Sequence, residues 1–214
     1  MKIALFGAGG NIGRRVAQEA LNRGHEVIAV VRDPAKFEKR NDAIRVVAGD
    51  ATSPDNVAAA VKGVDAVLSA VGPGASQQSN DILVQAARGL IEGVRRAGVK
   101  RLIVLGGAGS LEVSPGVQAV DAPEFPEAWK GNALAQREAL KIFRSSAGDL
   151  DWTYISPAAV IQPGMRTGRY RTGFDQMLFD DKGESRISIE DYAVAMIDAL
   201  ERAQHIRKRI TVAY

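Results

Sequence analysis

The sequence predicts a doubly wound α/β domain, a parallel sheet with helices on both faces, and three observations predict it. Short runs rich in β-branched and aliphatic residues recur along the chain, helix-opening and helix-closing residues punctuate the segments between them, and the first run empties directly into a glycine-rich turn. Continuous apolar runs without clean alternation suit strands covered on both faces, and parallel neighbours need crossovers, which the intervening helices supply.

Taken in order, Lys2 to Phe6 reads as the first strand and Asn11 to Arg23 as a helix stopped by Gly24. Val27 to Val31 and Ile44 to Ala48 are the next two strands. Ser53-Pro54 opens a second helix closed by Gly63, the pattern of an N-cap with early proline at one end and glycine at the other. Ala66 to Ala70 is the fourth strand, and a third helix runs from Ser79 to Ala97, with Ile82, Ala86, Leu90, Ile91 and Val94 on one face and Gly98 as its stop. Leu102 to Leu105 and Trp152 to Ile155 flank a helix expected over Asn132 to Ser146; Glu190 to Leu200, opened by a capping-box-like Ser188-x-x-Asp191, precedes the last strand, Ile210 to Val212. Residues 1–214 form one domain on this reading, and periodicity fades within about 107–129 and 156–189, the candidate substrate-pocket loops.

Composition removes several function classes. With 28 Lys and Arg against 25 Asp and Glu, the net charge of +3 is spread along the chain, which is no nucleic-acid footprint. There is no cysteine, and His25 and His205 are the two histidines, so thiol chemistry, disulfides and a metal site are not expected. No apolar run approaches a membrane span and glycines break the N-terminal one, so a soluble, cytoplasmic protein is expected, with no nucleic-acid or membrane partner.

The candidate site begins at Gly7-Ala8-Gly9-Gly10-Asn11-Ile12-Gly13, between strand and helix. A tight turn needs backbone freedom at Gly7, a pyrophosphate approaches closely where Gly10 has no side chain, and Gly13 lets the helix pack on the strand. The helix N-terminus then offers N–H groups and partial positive charge to phosphates. At the end of the second strand stands Arg32, whose guanidinium suits a 2′-phosphate, so NADP(H) is favoured; Asp33, one residue on, keeps NAD(H) open. Asp50-Ala51 after the third strand offers a carboxylate to the adenine amino group, or else a turn before Ser53. After the fourth strand, Ala70, Val71, Gly72 and Pro73 let ribose and nicotinamide pass close to backbone.

These residues, with Ser156-Pro157-Ala158-Ala159, Pro163 to Arg171 and Ser185 to Ala193, resemble the atypical short-chain dehydrogenase/reductases of the NAD(P)H-binding, NmrA-like kind. Within them the chain resembles the subgroup named as NADH-flavin reductases, related to biliverdin reductase B. The resemblance covers nearly the whole chain. It implies a Rossmann fold, a cofactor site that includes Gly107 and Pro157, and compatibility with a homodimer. The pattern also breaks. No Tyr-x-x-x-Lys pair occurs; Trp129 and Lys130 stand near its expected place, Ser110 is a displaced candidate for a catalytic serine, and the histidine that bilin-reducing relatives carry near Ala158 is missing.

Those absences shape the expected chemistry. A ketone needs a general acid as its oxygen takes negative charge, whereas a flavin or quinone spreads the charge of an incoming hydride and takes its proton from solvent. The expectation is therefore an NAD(P)H-dependent reductase of free flavin or a quinone-like acceptor, with flavin as substrate rather than resident cofactor. Phe125, Trp129, Pro157 and the backbone from Gly106 to Ser110 would line the acceptor side, and Arg166, Arg169 and Arg171 would meet either the phosphate of FMN or Asp180-Asp181. The alternatives are an NmrA-like redox sensor acting through a protein partner, and a nucleotide-sugar epimerase or dehydratase, which needs an acid/base pair the sequence does not offer.

Overall fold

A computed structural model describes residues 1–39, 41–72 and 81–214. Pro73 and Ser79, assigned above to a strand end and a helix start, lie outside the described residues. The central sheet has eight strands in the order β10-β12-β8-β5-β4-β1-β2-β3. They are β1 (Lys2–Phe6), β2 (Glu26–Val31), β3 (Arg45–Ala48), β4 (Ala66–Ser69), β5 (Arg101–Leu105), β8 (Asp151–Pro157), β10 (Arg171–Gly173) and β12 (Lys208–Ala213). Every pair is parallel except β10 with β12. Two small sheets pair β6 (Glu112–Ser114) with β7 (Val117–Gln118) and β9 (Val160–Gln162) with β11 (Arg186–Ser188).

The apolar runs become strands because both faces are covered. Ile3, Leu5, Val27, Ala29 and Leu68 point to one core, under α1 (Asn11–Asn22) and α5 (Ile189–Arg202). Ala4, Phe6, Ile28, Val30 and Val67 point to the other, under α2 (Pro54–Ala60), α3 (Asp81–Arg96) and α4 (Glu127–Ser146). Each large side chain fully buried this way contributes about 1.5–3 kcal/mol. The strand order reverses between β1 and β4, which opens a crevice beyond their carboxyl ends, the place where such sheets bind ligands.

Helix ends follow their capping chemistry, with two corrections to the sequence reading. Helix α4 begins at Glu127, not Asn132, so Trp129 and Lys130 lie in its first turn; Pro126 serves as N-cap, and Gly131-Asn132 is helix interior despite its loop-like composition. Ser188 does cap α5, its Oγ accepting from Asp191 N at 2.9 Å, but the capping box is half built. The Asp191 carboxylate turns instead to Thr167 and Gly168 N–H and to the hydroxyls of Thr167 and Tyr214. His205, expected at the surface, is half-buried, with its ring edge-on to Phe174.

Candidate cofactor-binding site

The strand-to-helix turn builds the centre of the cleft. Gly7 adopts φ +77°, open to glycine at little cost, and a Cβ there would stand 2.4 Å from the Ala70 carbonyl oxygen. A Cβ at Gly13 would stand 2.1 Å from Gly7 O, so α1 sits directly on the turn. The α1 N-terminus at Gly10 has no side-chain cap and no acid in its first turn. Its unsatisfied N–H groups and partial positive charge form a cradle that fits a pyrophosphate.

A cleft of about 540 Å³ lies on this turn. Gly7, Gly9, Gly10, Asn11, Ile12, Arg32, Asp50, Ala51, Ala70, Val71 and Gly72 all line it. Gly13, Gly107 and Pro157, grouped above with the cofactor residues, do not line it. Gly13 is spent on the contact with Gly7, Gly107 packs on the Gln136 side chain, and Pro157 is buried at the end of β8. Sequence reasoning passed over Lys36, Phe37, Thr52, Ile82 and Leu105, which also form the walls. Lys36 and Phe37 had a signal, since Asp33-Pro34 opens a short 3-10 helix that brings Phe37 to Gly9 and both residues into the cleft wall.

At the adenosine end, neighbouring side chains differ in freedom. Asp33 is committed, its Oδ1 accepting from Ala35 N at 3.1 Å while Oδ2 pairs with Lys36 Nζ at 3.3 Å. Arg32 is exposed and makes no ion pair or hydrogen bond among the described residues. Asp50 spends Oδ1 on Thr52 N and Oγ1, both at 2.8 Å, so it does hold the turn before Ser53, and no described donor reaches Oδ2. These donors and acceptors fit the phosphates, ribose and adenine of a dinucleotide.

The far end of the cleft is formed by Ala70, Val71, Gly72, Ile82 and Leu105, none of which can carry a proton. Beyond Leu105 the chain packs closely on the core. A Cβ at Gly106 would stand 2.1 Å from the Tyr154 ring, and one at Gly107 would stand 2.9 Å from Gln136. Gly106 N donates to Ile155 O at 2.8 Å. Tyr154 in turn donates toward Gln136 O and Oε1, and Tyr192 donates to Ile155 O. Burial holds both phenols well above the usual tyrosine range, with the Arg209 charge opposing this at Tyr154 and repulsion from an ionised Tyr154 adding to it at Tyr192. Neither is poised to release a proton near neutral pH.

The other candidates are placed as follows. Ser110 is buried, and Arg209 Nη1 donates to its Oγ at 3.3 Å. Lys130 is exposed and pairs with Glu127 at 3.6 Å. Trp129 is 61% exposed, so it packs into neither core, and Phe125 is half-buried. Of the three arginines in the 166–171 loop, Arg166 binds Glu19 and Arg171 binds the carbonyls of Phe179 and Tyr214, while Asp180 takes Arg186 instead. Arg169 alone of the three has its guanidinium unpaired among the described residues.

The comparisons agree with this geometry. Three solved structures each superpose on the whole of this chain. One, provisionally named an exported protein of Burkholderia pseudomallei, is 48% identical at TM-score 0.91 over 100% of its own length. Another, provisionally named an epimerase of Bacteroides thetaiotaomicron, is 44% identical at TM-score 0.90 over 96% of its length. A third, provisionally named an NADH-flavin reductase of Streptococcus pneumoniae, is 33% identical at TM-score 0.87 over 99% of its length. No helix among the described residues is long and apolar enough to cross a membrane, and no described cluster of His, Asp and Glu could hold a metal. The model of the NAD(P)H-binding family matches residues 7–201, from the first motif glycine to the end of α5, and the chain belongs to that oxidoreductase-like family.

Proposed function

We propose that this protein is an NAD(P)H-dependent reductase that prefers NADPH and passes reducing equivalents to free flavin or a quinone-like acceptor. The observation that carries the reading is the inner end of the cleft. Its walls are aliphatic or glycine, and in the Gly106-Gly107 ledge beside it Gly106 N donates into the core, to Ile155 O. A site that reduces a ketone or epimerises a sugar needs an acid or base within hydrogen-bond reach of the reacting atom. Here the hydroxyl and amine considered, Ser110 and Lys130, do not line the cleft: Ser110 is buried against Arg209, and Lys130 is exposed beside Glu127.

When bound, the nicotinamide supplies a hydride. The work left to the chain is placement: the α1 N-terminus holds the phosphates, Arg32 grips a 2′-phosphate, and the smooth inner wall lets a flat conjugated ring stack at reacting distance. The acceptor takes hydride and one solvent proton and leaves as the reduced, neutral form. The neighbour's provisional flavin-reductase name supports the acceptor class. The same inner wall also suits a sensor that binds NADP(H) without turnover, and the experiment separates the two.

Anaerobic stopped-flow mixing of NADPH-loaded protein with FMN, then with a simple quinone, tests the proposal. Enzyme-dependent loss of nicotinamide absorbance, faster with NADPH than NADH, is expected. Tight NADPH binding with no acceptor reduced above background would overturn the reductase reading in favour of sensing.

A further inference from the structure

On the other side of Leu105, one carboxylate gathers contacts from distant parts of the chain. Asp175 follows β10, and its Oδ1 accepts from Arg209 Nε at 2.8 Å, from Arg209 Nη2, and from Arg144 Nη2 of α4 at 2.8 Å. Its backbone carbonyl accepts from Glu112 N at 2.8 Å, and Met177 N returns the contact to Glu112 O at 2.9 Å. Arg209, on β12, is 4% exposed. Its remaining N–H groups go to Ser110 Oγ and Ser110 O, both at 3.3 Å, and to Ser156 Oγ on β8 at 3.4 Å.

The geometry of a guanidinium makes this more than a charge pair. Arg presents a rigid fork of five donors, so each partner is fixed in direction as well as distance. The loop it reaches buries Leu111 completely, and beyond it residues 113–117 are exposed, so the contacts of Arg209 and Asp175 stand where the chain leaves the core. A buried charge pair that gains little net stability can still specify one arrangement of the segments it joins. Here those segments are the loop leaving β5, which starts at cleft residue Leu105, and the segment after β10.

We propose that Asp175 is a positioning residue for the acceptor side: through buried Arg209 it locks the Gly106–Glu112 loop to the 175–177 segment and so sets the shape of the surface on which the acceptor docks. The inference rests on the reading that an acceptor sits beside Leu105. It assigns acceptor recognition to a residue outside the cofactor cleft and predicts that the two binding events separate by mutation.

The test compares wild type with Asp175→Asn and with the double variant Asp175→Asn/Arg209→Gln, which removes the buried cation should the single variant fail to fold. Three quantities are read: amide hydrogen exchange at Glu112 and Met177, NADPH affinity by titration, and KM and kcat for FMN and for a small quinone. Exchange at the two amides should quicken at least about tenfold while NADPH affinity stays within about twofold. KM for FMN should rise about tenfold and that for the small quinone less, because a larger ring depends on more of the wall. Unchanged exchange, or cofactor affinity lost in step with acceptor KM, would overturn the proposal. Should wild type turn over neither acceptor, the reductase reading falls by itself, and FMN binding, followed by quenching of its fluorescence, replaces KM. Wild type that binds no FMN would overturn both, whereas FMN binding weakened by the variants alone upholds the positioning role.

Discussion

The two halves of the ligand edge are built in opposite ways. On the β1–β4 side, the cleft is walled by backbone and by groups left open, with the α1 N-terminus uncapped and Arg32 unpaired among the described residues. On the β5–β12 side, polar groups are spent on one another: Tyr154 on Gln136, Arg209 on Asp175 and Ser110, Thr167 on Asp191. The first half is arranged to receive a charged, polar ligand. The second is arranged to hold a shape.

The comparison breaks most sharply at Gly7, where turn and cleft share one residue. Gly7→Ala should cost about 4 kcal/mol or more, because the new Cβ meets Ala70 O at 2.4 Å in addition to a left-handed φ. Gly24 separates the two causes: it has the same φ of +77° but nothing within 4 Å of its Cβ. Gly24→Ala should therefore cost only the conformational part, about 1–2 kcal/mol, and leave NADPH binding intact. Urea unfolding and a cofactor titration on both variants check this; equal losses would mean that the close approach to β4 contributes nothing.

On the other half, Asp191→Asn should cost roughly 3 kcal/mol, since a fully buried carboxylate there takes Thr167, Gly168 and Tyr214 together. It also bears on pH. Burial raises the Asp191 pKa, but hydrogen bonds from Thr167, Tyr214 and Gly168 outweigh it and hold the group below its ordinary value. Glu19 is likewise held down, first by its hydrogen bond from Arg166, against burial, and then by Arg23. Depressed carboxyls contribute stability that is whole above their unfolded values, 3.8 and 4.5, and is lost as pH falls through the folded ones. The gap between wild type and Asp191→Asn should thus be widest near pH 7 and narrow toward pH 3, as equilibrium unfolding across that range would read. A gap independent of pH would mean the charge is not what holds the 166–168 loop.

Arg32→Ala returns to the open half with a smaller, more selective effect. Losing a charge-assisted grip on a 2′-phosphate should weaken NADPH about 10- to 100-fold and leave NADH within about twofold. Parallel losses for both cofactors would show that Arg32 supports the turn rather than the phosphate.

This division also explains what could be read from the sequence. The glycine turn, Arg32 and Asp50 are local: each acts within a few residues of a strand end, so order along the chain predicts position in space. Continuous apolar runs likewise located the seven parallel strands. Asp175, Arg209 and Gln136 carry no such signal, because the partners lie 18, 34 and 99 positions apart and any Asp or Arg in a loop looks the same. Strands β6, β7, β9, β10 and β11, of two or three residues each, are too short for period-two alternation to register. The early start of α4 is not legible because Gly131-Asn132, of weak helix propensity, lies within its first two turns.

The smallest expected effects bear hardest on the chemistry. Lys130→Ala removes an exposed ion pair with Glu127 at 3.6 Å, a change that should cost no more than about 0.5 kcal/mol. Ser110→Ala leaves Arg209 its contact with the Ser110 carbonyl and should cost about 1 kcal/mol. Acceptor turnover should stay within about threefold in both, since general acid catalysis is worth about 100-fold or more where it operates. A drop of that size in either variant, with NADPH affinity unchanged, would place a proton-transfer group beside the inner wall. The smooth Gly106-Gly107 ledge would then be half of a site for a carbonyl or a sugar, and the provisional epimerase name of one neighbour would describe this chain better than the flavin-reductase name of another.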